Sequence, residues 1–259
     1  MKVCFVEWPV NLLAGSETWQ QIAWQVREAA PDVLVTNEMP FGRWFGISNR
    51  FDTDVASTAV QQHEAGLDAL RQLGVPLVLS SRPVWAGAKL ANEAFALEQG
   101  EYRLLHHKHY FPGEPGWYES DWFHTGRTGF ETLELAGIRV GVLLCTEVMF
   151  NEHARAYGRS GADLIIVPRM TGTELASWRT ACAMAALVSG SYVVSSNKEG
   201  DEPDGPTFGG VGMAFAPDAT LIAETSTAQT LVTFELDPKR SVNQRQSYPC
   251  YVSEVIVTP

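Results

Sequence analysis

The stretch Gly137-Ile138-Arg139-Val140-Gly141-Val142-Leu143-Leu144-Cys145-Thr146-Glu147-Val148-Met149-Phe150-Asn151-Glu152 decides how this chain is read. Val140 to Leu144 is a near-continuous apolar run, the pattern of a buried strand. Asn151-Glu152 is a helix start, continued by His153-Ala154-Arg155-Ala156-Tyr157-Gly158-Arg159. Cys145 stands at the junction. A thiol on a rigid strand end, facing backbone N–H groups at the mouth of a helix, is in a setting that lowers a thiol pKa and offers an oxyanion site. A cysteine after an apolar run is more often an inert core residue. The functional reading therefore depends on a base and a cation standing in matching positions elsewhere.

Two other strand ends supply them. Asp32-Val33-Leu34-Val35-Thr36-Asn37 reads as a buried strand closed by Glu38-Met39-Pro40. A carboxylate at the exit of such a strand is poorly solvated, as a general base needs to be, although a surface loop acid would look the same. Lys108 follows the Tyr102 to His106 strand, within His106-His107-Lys108-His109, and reads as a cation at a strand end or as an ordinary surface lysine. His107 and His109 occupy alternate positions and could chelate a metal together. No third ligand cluster accompanies them, so no metal is expected. A thiolate nucleophile, a carboxylate base and a lysine cation suffice for acyl transfer.

The remaining chain alternates strands and helices. Lys2 to Val6 reads as a strand. Ser16 can cap a helix whose stripe is Trp19, Ile22, Ala23, Val26 and Ala29, stopped by Pro31. A loop rich in Gly, Arg and aromatics runs from Phe41 to Asp54, then a helix from about Val55 to Leu73. Strands follow at Pro76 to Ser80, Asn92 to Glu98 and Tyr102 to His106, the last two as a hairpin. Gly129 to Leu135 and Arg139 to Leu144 form another. Beyond Cys145 come a helix, a strand at Leu164 to Val167, a helix at Trp178 to Val188 and a strand from Ser191 ending at Asn197. Two strands, Thr220 to Ala223 and Thr230 to Glu235, close the body. The glycine-rich Phe208 to Phe215 lacks both a following helix and a Lys-Ser/Thr ending, so it is not a phosphate-binding loop. Strands and helices alternating in each half fit two facing sheets, each covered by helices.

Composition narrows the function. The 259 residues show no linker or low-complexity tract, so residues 1–259 are taken as one domain, with 238–259 as a C-terminal arm whose Tyr248 to Val257 meets a second subunit. The formal net charge of −11 argues against nucleic acid and against an anionic membrane surface. Cys4, Cys145, Cys182 and Cys250 show no zinc or disulfide spacing. The opening residues reach an acid too early for a signal peptide, and no apolar run is long enough to span a bilayer, so a cytoplasmic protein is expected.

Taken together, the chain resembles the nitrilase (carbon-nitrogen hydrolase) superfamily along almost its whole length. The resemblance rests on Glu38 in Asn-Glu-Met-Pro, Lys108 in His-Lys-His-Tyr and Cys145 in Leu-Leu-Cys-Thr-Glu-Val-Met-Phe-Asn-Glu. Gly161-Ala162-Asp163-Leu164-Ile165, Ser196-Asn197-Lys198-Glu199-Gly200 and Phe208-Gly209-Gly210-Val211-Gly212 add to it. It implies an α/β fold of the α-β-β-α sandwich type that usually dimerises or forms higher homo-oligomers. It implies Cys145 as nucleophile, Glu38 as general base, Lys108 as stabiliser of the tetrahedral intermediate, and Thr146 N–H in the oxyanion site. A second glutamate follows the lysine in this family; Glu119 fits best, with Glu114 as the alternative.

The departures from the family pattern bear on substrate. Thr146-Glu147 stands where the family commonly has Tyr-Asp, or Trp-Glu in true nitrilases, which leans toward an amidase. Ala185 to Gly190 replaces a common Arg-Ala-x-Glu-Asn run. Arg169 occupies a pocket-rim position usually held by a small residue; it could bind a substrate carboxylate or pair with Glu147 or Glu152. Trp117, Tyr118, Trp44, Phe45 and Trp178 are candidate pocket walls. The expected activity is cofactor-free hydrolysis of a small amide through a cysteine thioester. Alternatives are a nitrile or N-carbamoyl substrate on the same site, or a catalytically silent binding protein.

Overall fold

The computed structural model describes residues 1–127 and 129–254. In chain order the elements are β1 (Lys2–Pro9), α1 (Glu17–Ala29), β2 (Val33–Val35), α2 (Thr53–Arg71), β3 (Leu77–Ala86), β4 (Lys89–Glu98), β5 (Glu101–His107) and α3 (Glu119–Trp122). Then come β6 (Leu133–Leu135), β7 (Ile138–Val142), a 3-10 turn (Cys145–Met149), α4 (Asn151–Arg159), β8 (Leu164–Ile166), α5 (Ala176–Ser189), β9 (Tyr192–Ser195) and β10 (Asn197–Asp201). β11 (Thr207–Gly209), β12 (Met213–Phe215), β13 (Leu221–Glu224), β14 (Leu231–Glu235) and α6 (Pro238–Arg245) complete it. One sheet has the order β11-β10-β1-β2-β3-β4-β5, with β14 also paired to β1; the other has the order β13-β12-β9-β8-β7-β6.

The period-2 alternation of the strands sorts side chains into three apolar layers. Val3 and Phe5, Val33 and Val35, Leu77 and Leu79 point between the sheets, where they meet Val140, Val142, Leu164 and Ile166. Their alternates Cys4, Val6, Leu34 and Val78 face outward onto Trp19, Ile22 and Val26 of α1 and Leu67 and Leu70 of α2. On the other sheet Ile165 and Val193 face Tyr157 of α4 and Cys182 and Ala185 of α5. The result is the expected α-β-β-α sandwich. Strands buried on both faces read as unbroken apolar runs, which is why β2, β7 and β8 are conspicuous in the sequence.

Strand direction places the chemistry. β2 and β3 are parallel, and β5 is antiparallel to β4, which is antiparallel to β3. β2 and β5 therefore run the same way and end on the same edge of one sheet, where Glu38 and Lys108 follow them. β7 and β8 are parallel in the other sheet and lead to Cys145 and Arg169.

Several elements differ from expectation. The β3–β4 hairpin runs from Leu77↔Glu98 out to Ala86↔Lys89, well beyond Ser80. Its polar residues are accommodated because the ladder satisfies their backbone and because Ser80 Oγ meets Thr36 Oγ1 at 2.6 Å. Asn197 opens a further hairpin, β10–β11, instead of ending a strand. Only Leu133–Leu135 of the Gly129 to Leu135 stretch is strand. Of the expected arm, residues 238–254 are described, and these fold back on the body. α6 and residues 246–254 lie against α4, α5 and the turn after α4: Arg245 donates to Ala162 O, Cys250 Sγ to Leu187 O at 3.3 Å, and Arg155 and Arg159 pair with Glu254. The expected contact of Tyr248 to Val257 with a second subunit extends to residues 255–257, which are outside the described residues.

α4 and α5 approach closely at Gly158, where an added Cβ would sit 2.4 Å from Ser189 O and 2.6 Å from Ser189 Cα. Backbone cannot yield as a side chain can. Gly158→Ala is expected to lower stability in urea denaturation by roughly 1–3 kcal/mol; an unchanged midpoint would show that the two helices slide apart freely.

Candidate active site

Glu38 is fully buried just beyond β2. Its Oε1 accepts from Asn92 Nδ2 at 2.7 Å and from Lys108 Nζ at 2.9 Å. Its Oε2 is buried with no hydrogen-bond partner among the described residues. The next residue, Met39, has φ 40. This left-handed backbone is unfavourable outside glycine and is kept because it is over-determined. Met39 N–H donates to Ser81 Oγ at 3.0 Å, and its carbonyl accepts from Lys198 Nζ at 3.1 Å.

Lys108 is no surface lysine: it is fully buried. Its backbone N–H continues the ladder to Asn92 O at 2.9 Å. Its ammonium donates to Glu38 Oε1 at 2.9 Å and to Glu119 Oε2 at 2.6 Å. Burial works against the charge, but Glu119, Glu38 and Cys145 together hold Lys108 well above its ordinary value. Burial pushes Glu119 up to about 7, with Lys108 pulling against it and Glu38 adding to it. Glu119, from α3, is thus the acid brought to the lysine; Glu114 stays at the outer lining of the same cavity.

Cys145 begins the 3-10 turn with φ 51, a sharp strand-to-turn elbow. Its N–H donates to Pro168 O at 3.0 Å. The expectation of a lowered thiol pKa is corrected here. Burial pushes the thiol well above its ordinary value; Glu38 and Glu119 add to that, while Lys108 and a Met170 N–H counter it in part. Glu38, Lys108, Glu119 and Cys145 thus form one electrostatic cluster. Such a thiol needs a base at the moment it reacts.

A cavity of about 200 Å³ opens onto this cluster. Cys145, Thr146, Glu119, Trp117, Met170 and Thr171 line it, with Glu114, Glu174 and Trp178 also contributing. Tyr118 is absent from the lining; its N–H donates to Gly46 O at 2.8 Å. A larger cavity, about 710 Å³, lies between Trp44, Phe45, Ile47 and the start of α2. None of Glu38, Lys108, Glu119 and Cys145 lines it, so the smaller cavity is the one that opens onto the cluster.

Arg169 is beneath the pocket rather than on its rim. Its guanidinium is fully buried and donates to Ser195 Oγ (2.6 Å), Thr171 Oγ1 (3.0 Å) and Val211 O (2.7 Å), with its Cζ 5.5 Å from the Trp178 ring centroid. The alternative pairing with Glu147 or Glu152 is not formed. Glu147 is engaged instead by Leu144 N–H, His109 N–H and His106.

The histidines separate. His107 Nε2 meets Glu93 Oε2 at 3.0 Å, while His106 and His109 stack with centroids 5.1 Å apart. Donor atoms of His106, His109 and Glu147 lie within 4.8 Å of one another, a spacing that could hold a metal. Both Glu147 oxygens already take N–H donors, so an ion would have to displace them. Asn92 has no part in the sequence reading of the site, and Glu147, His106 and Lys198, though quoted in its motifs, are not given these partners there. Asn92 sits one strand over from Glu38, and no local pattern marks that register.

Lys198 is buried and its ammonium faces the ring of Phe208 at 5.7 Å. Burial lowers its pKa to about 8, against Glu202 and Glu38, which raise it. Between pH 8 and the ordinary value of 10.5 the unfolded chain holds this proton more than the folded one, so this contribution to stability grows as pH rises and is lost as pH falls through 8. Denaturation of wild type and Lys198→Met from pH 7 to 10.5 should show the difference moving in favour of wild type by up to roughly 3 kcal/mol; a pH-independent difference would mean that Lys198 is solvated.

A family model described as carbon-nitrogen hydrolase matches residues 12–246. N-carbamoylputrescine amidase of Arabidopsis thaliana is 27% identical over 247 residues, covering 86% of this chain and 82% of that one. A solved carbon-nitrogen hydrolase from Helicobacter pylori G27 superposes with a TM-score of 0.85 at 19% identity, covering 99% of this chain and 96% of that one. An amidase from Nesterenkonia sp. gives 0.77 at 20% identity, covering 95% and 94%. Among the described residues no helix is long and apolar enough to cross a membrane. With the model match running through nearly the whole chain and the sandwich shared end to end, this chain belongs to the carbon-nitrogen hydrolase family of the nitrilase superfamily.

Proposed function

We propose that the chain hydrolyses the carbon-nitrogen bond of a small amide through a thioester on Cys145, with Glu38 as general base. The observation that carries this reading is the orphaned, buried Oε2 of Glu38, whose other oxygen is tied to Lys108 and Asn92. A carboxylate with one oxygen anchored and one free is poised to take a proton. Sγ attacks the carbonyl carbon as Glu38 removes the thiol proton. The oxyanion is stabilised by the Lys108 ammonium and the Thr146 N–H. Glu38 gives the proton to the leaving nitrogen, and ammonia or an amine departs. Water, deprotonated by Glu38, attacks the thioester, and the acid leaves as the thiol recovers its proton. Glu119 holds Lys108 and faces the bound amide. Every proton is carried by a residue already in the cluster. Residues 1–259 are read as one catalytic unit, acting as a homodimer.

The cavity lining favours one class of far end. Its charged residues are Glu114, Glu119 and Glu174, and its aromatic walls are Trp117 and Trp178; no Lys or Arg is in it. Acids beside aromatic faces attract a cation and repel a carboxylate. An amide or N-carbamoyl compound with an ammonium at its other end fits this mouth better than a dicarboxylic monoamide. The name of the Arabidopsis relative, which specifies a carbamoylated diamine, points the same way.

The test is ammonia release from paired substrates of equal length ending in ammonium, methyl or carboxylate, with N-carbamoyl compounds and nitriles alongside. Cys145→Ala and Glu38→Gln are each expected to reduce turnover by about a thousandfold or more. Retained turnover in either would sink the mechanism. Glu174→Gln should lower kcat/KM for the ammonium substrate by up to about fivefold, the scale of one exposed charge pair, and leave the methyl substrate unchanged. Preference for the carboxylate substrate would overturn the acidic-mouth reading while leaving the mechanism intact.

A further inference from the structure

The proposed nucleophile and the proposed oxyanion cation belong to different sheets. Cys145 follows β7 of one, Lys108 follows β5 of the other. What lies between the sheets is apolar packing, which is strong but non-directional. It does not by itself hold a thiol and an ammonium in register. A directional link is needed near the site.

Glu147 supplies one. Its Oε2 accepts from Leu144 N–H at 2.7 Å, the residue before Cys145. Its Oε1 accepts from His109 N–H at 2.7 Å, the residue after Lys108. Both N–H groups are ones that the sheets leave over. β8 takes up the N–H groups on either side of Leu144, with Leu143 donating to Ile166 O and Cys145 to Pro168 O. Lys108 N–H is the last to join the β4–β5 ladder, so His109 N–H falls beyond it. One carboxylate thus spans from the elbow of the thiol to the strand end of the ammonium.

A fully buried carboxylate needs more than two amide donors to remain charged. His106 completes the set. Its Nε2 is 2.8 Å and 3.0 Å from the two Glu147 oxygens. Its Nδ1 is 3.1 Å from Gly129 O. Each ring nitrogen thus faces an oxygen, a Glu147 carboxylate on one side and the Gly129 carbonyl on the other, so the ring ties the carboxylate to the backbone. Packing locks its plane: the ring stacks on His109 and lies 4.8 Å from the Phe130 ring.

We propose that the hydrogen-bonded His106–Glu147 pair is a positioning strut that fixes Cys145 against Lys108, on the reading that these two are nucleophile and oxyanion cation. Neither residue touches the cavity, and neither moves a proton in the reaction. Their role is geometric, and it accounts for a glutamate two residues after the nucleophile and a histidine two residues before the lysine.

The experiment uses the intact chain and any amide that the wild type turns over. Glu147→Gln keeps the shape but turns one acceptor into an N–H that faces another N–H. It should lower kcat about a hundredfold, the effect of a misplacement near 1 Å, with KM within about threefold and the circular dichroism unchanged. His106→Gln should lower kcat by about tenfold or more with the same unchanged KM. Because the pair acts as a unit, the double variant should lose no more than Glu147→Gln alone. A merely stabilising pair would lower the melting temperature and leave kcat intact, which would overturn the proposal, as would multiplying losses in the double variant or a loss confined to KM. If Glu147→Gln does not fold, His106→Gln decides by the same kcat criterion. Turnover retained in Cys145→Ala would overturn the strut together with the nucleophile assignment; turnover lost there but kept in both strut variants would overturn the strut alone.

Discussion

Lys108 is an ammonium without exposed surface, and two carboxylates hold it there. Removing one partner of a buried ion pair typically costs about 3–5 kcal/mol, because the remaining charge is left unsolvated. The three side chains come from three places: Glu38 from the end of β2, Lys108 from the end of β5 and Glu119 from the short α3. Those segments must meet for the charges to be neutralised. The site and the folding of the loops around it are therefore one electrostatic problem, and Asn92, bonded to Glu38 through its side chain and to Lys108 through its carbonyl, joins the two strand ends.

Left-handed backbone at non-glycine residues occurs at several turns of the chain and at two places in the charged cluster. Met39, beside Glu38, and Cys145 itself both hold left-handed backbone that a side chain disfavours. Each is clamped by neighbours. Ser81 and Lys198 grip the Met39 peptide groups, and Pro168 O takes the Cys145 N–H. The conformations persist because the surrounding bonds over-determine them, and they turn Glu38 and Cys145 out of their strands toward the same cluster.

Electrostatics also sets the state of the proposed nucleophile. Cys145 is buried among carboxylates, so its thiol is held protonated, unlike an exposed thiolate at a helix mouth. The cationic groups nearby are already committed: Lys108 to two acids, and Arg169 to Ser195, Thr171 and Val211. The rim of the cavity is left acidic. A negatively charged chain thus has a pocket with the same sign as its net charge, which fits the proposed ammonium-ended substrate.

The sequence by itself determined the layers and the three strand-end residues. Apolar runs such as Val33–Val35 and Val140–Leu144 are dictated by burial on both faces, and a period of two assigns each side chain to a layer. Charged residues at the ends of such runs stand out for the same reason. The partners of those residues were decided only by tertiary structure. Asn92 and Glu38 are 54 positions apart and His106 and Glu147 are 41; the bonds between them depend on strand register and on how one sheet sits over the other. The length of the β3–β4 hairpin and the folding back of α6 were likewise settled by pairing. The commitment of Arg169 away from the pocket and the raised thiol of Cys145 also belong to the fold. Hydrogen bonds and desolvation act over a few ångströms in space, and local sequence carries no record of which distant groups will come that close.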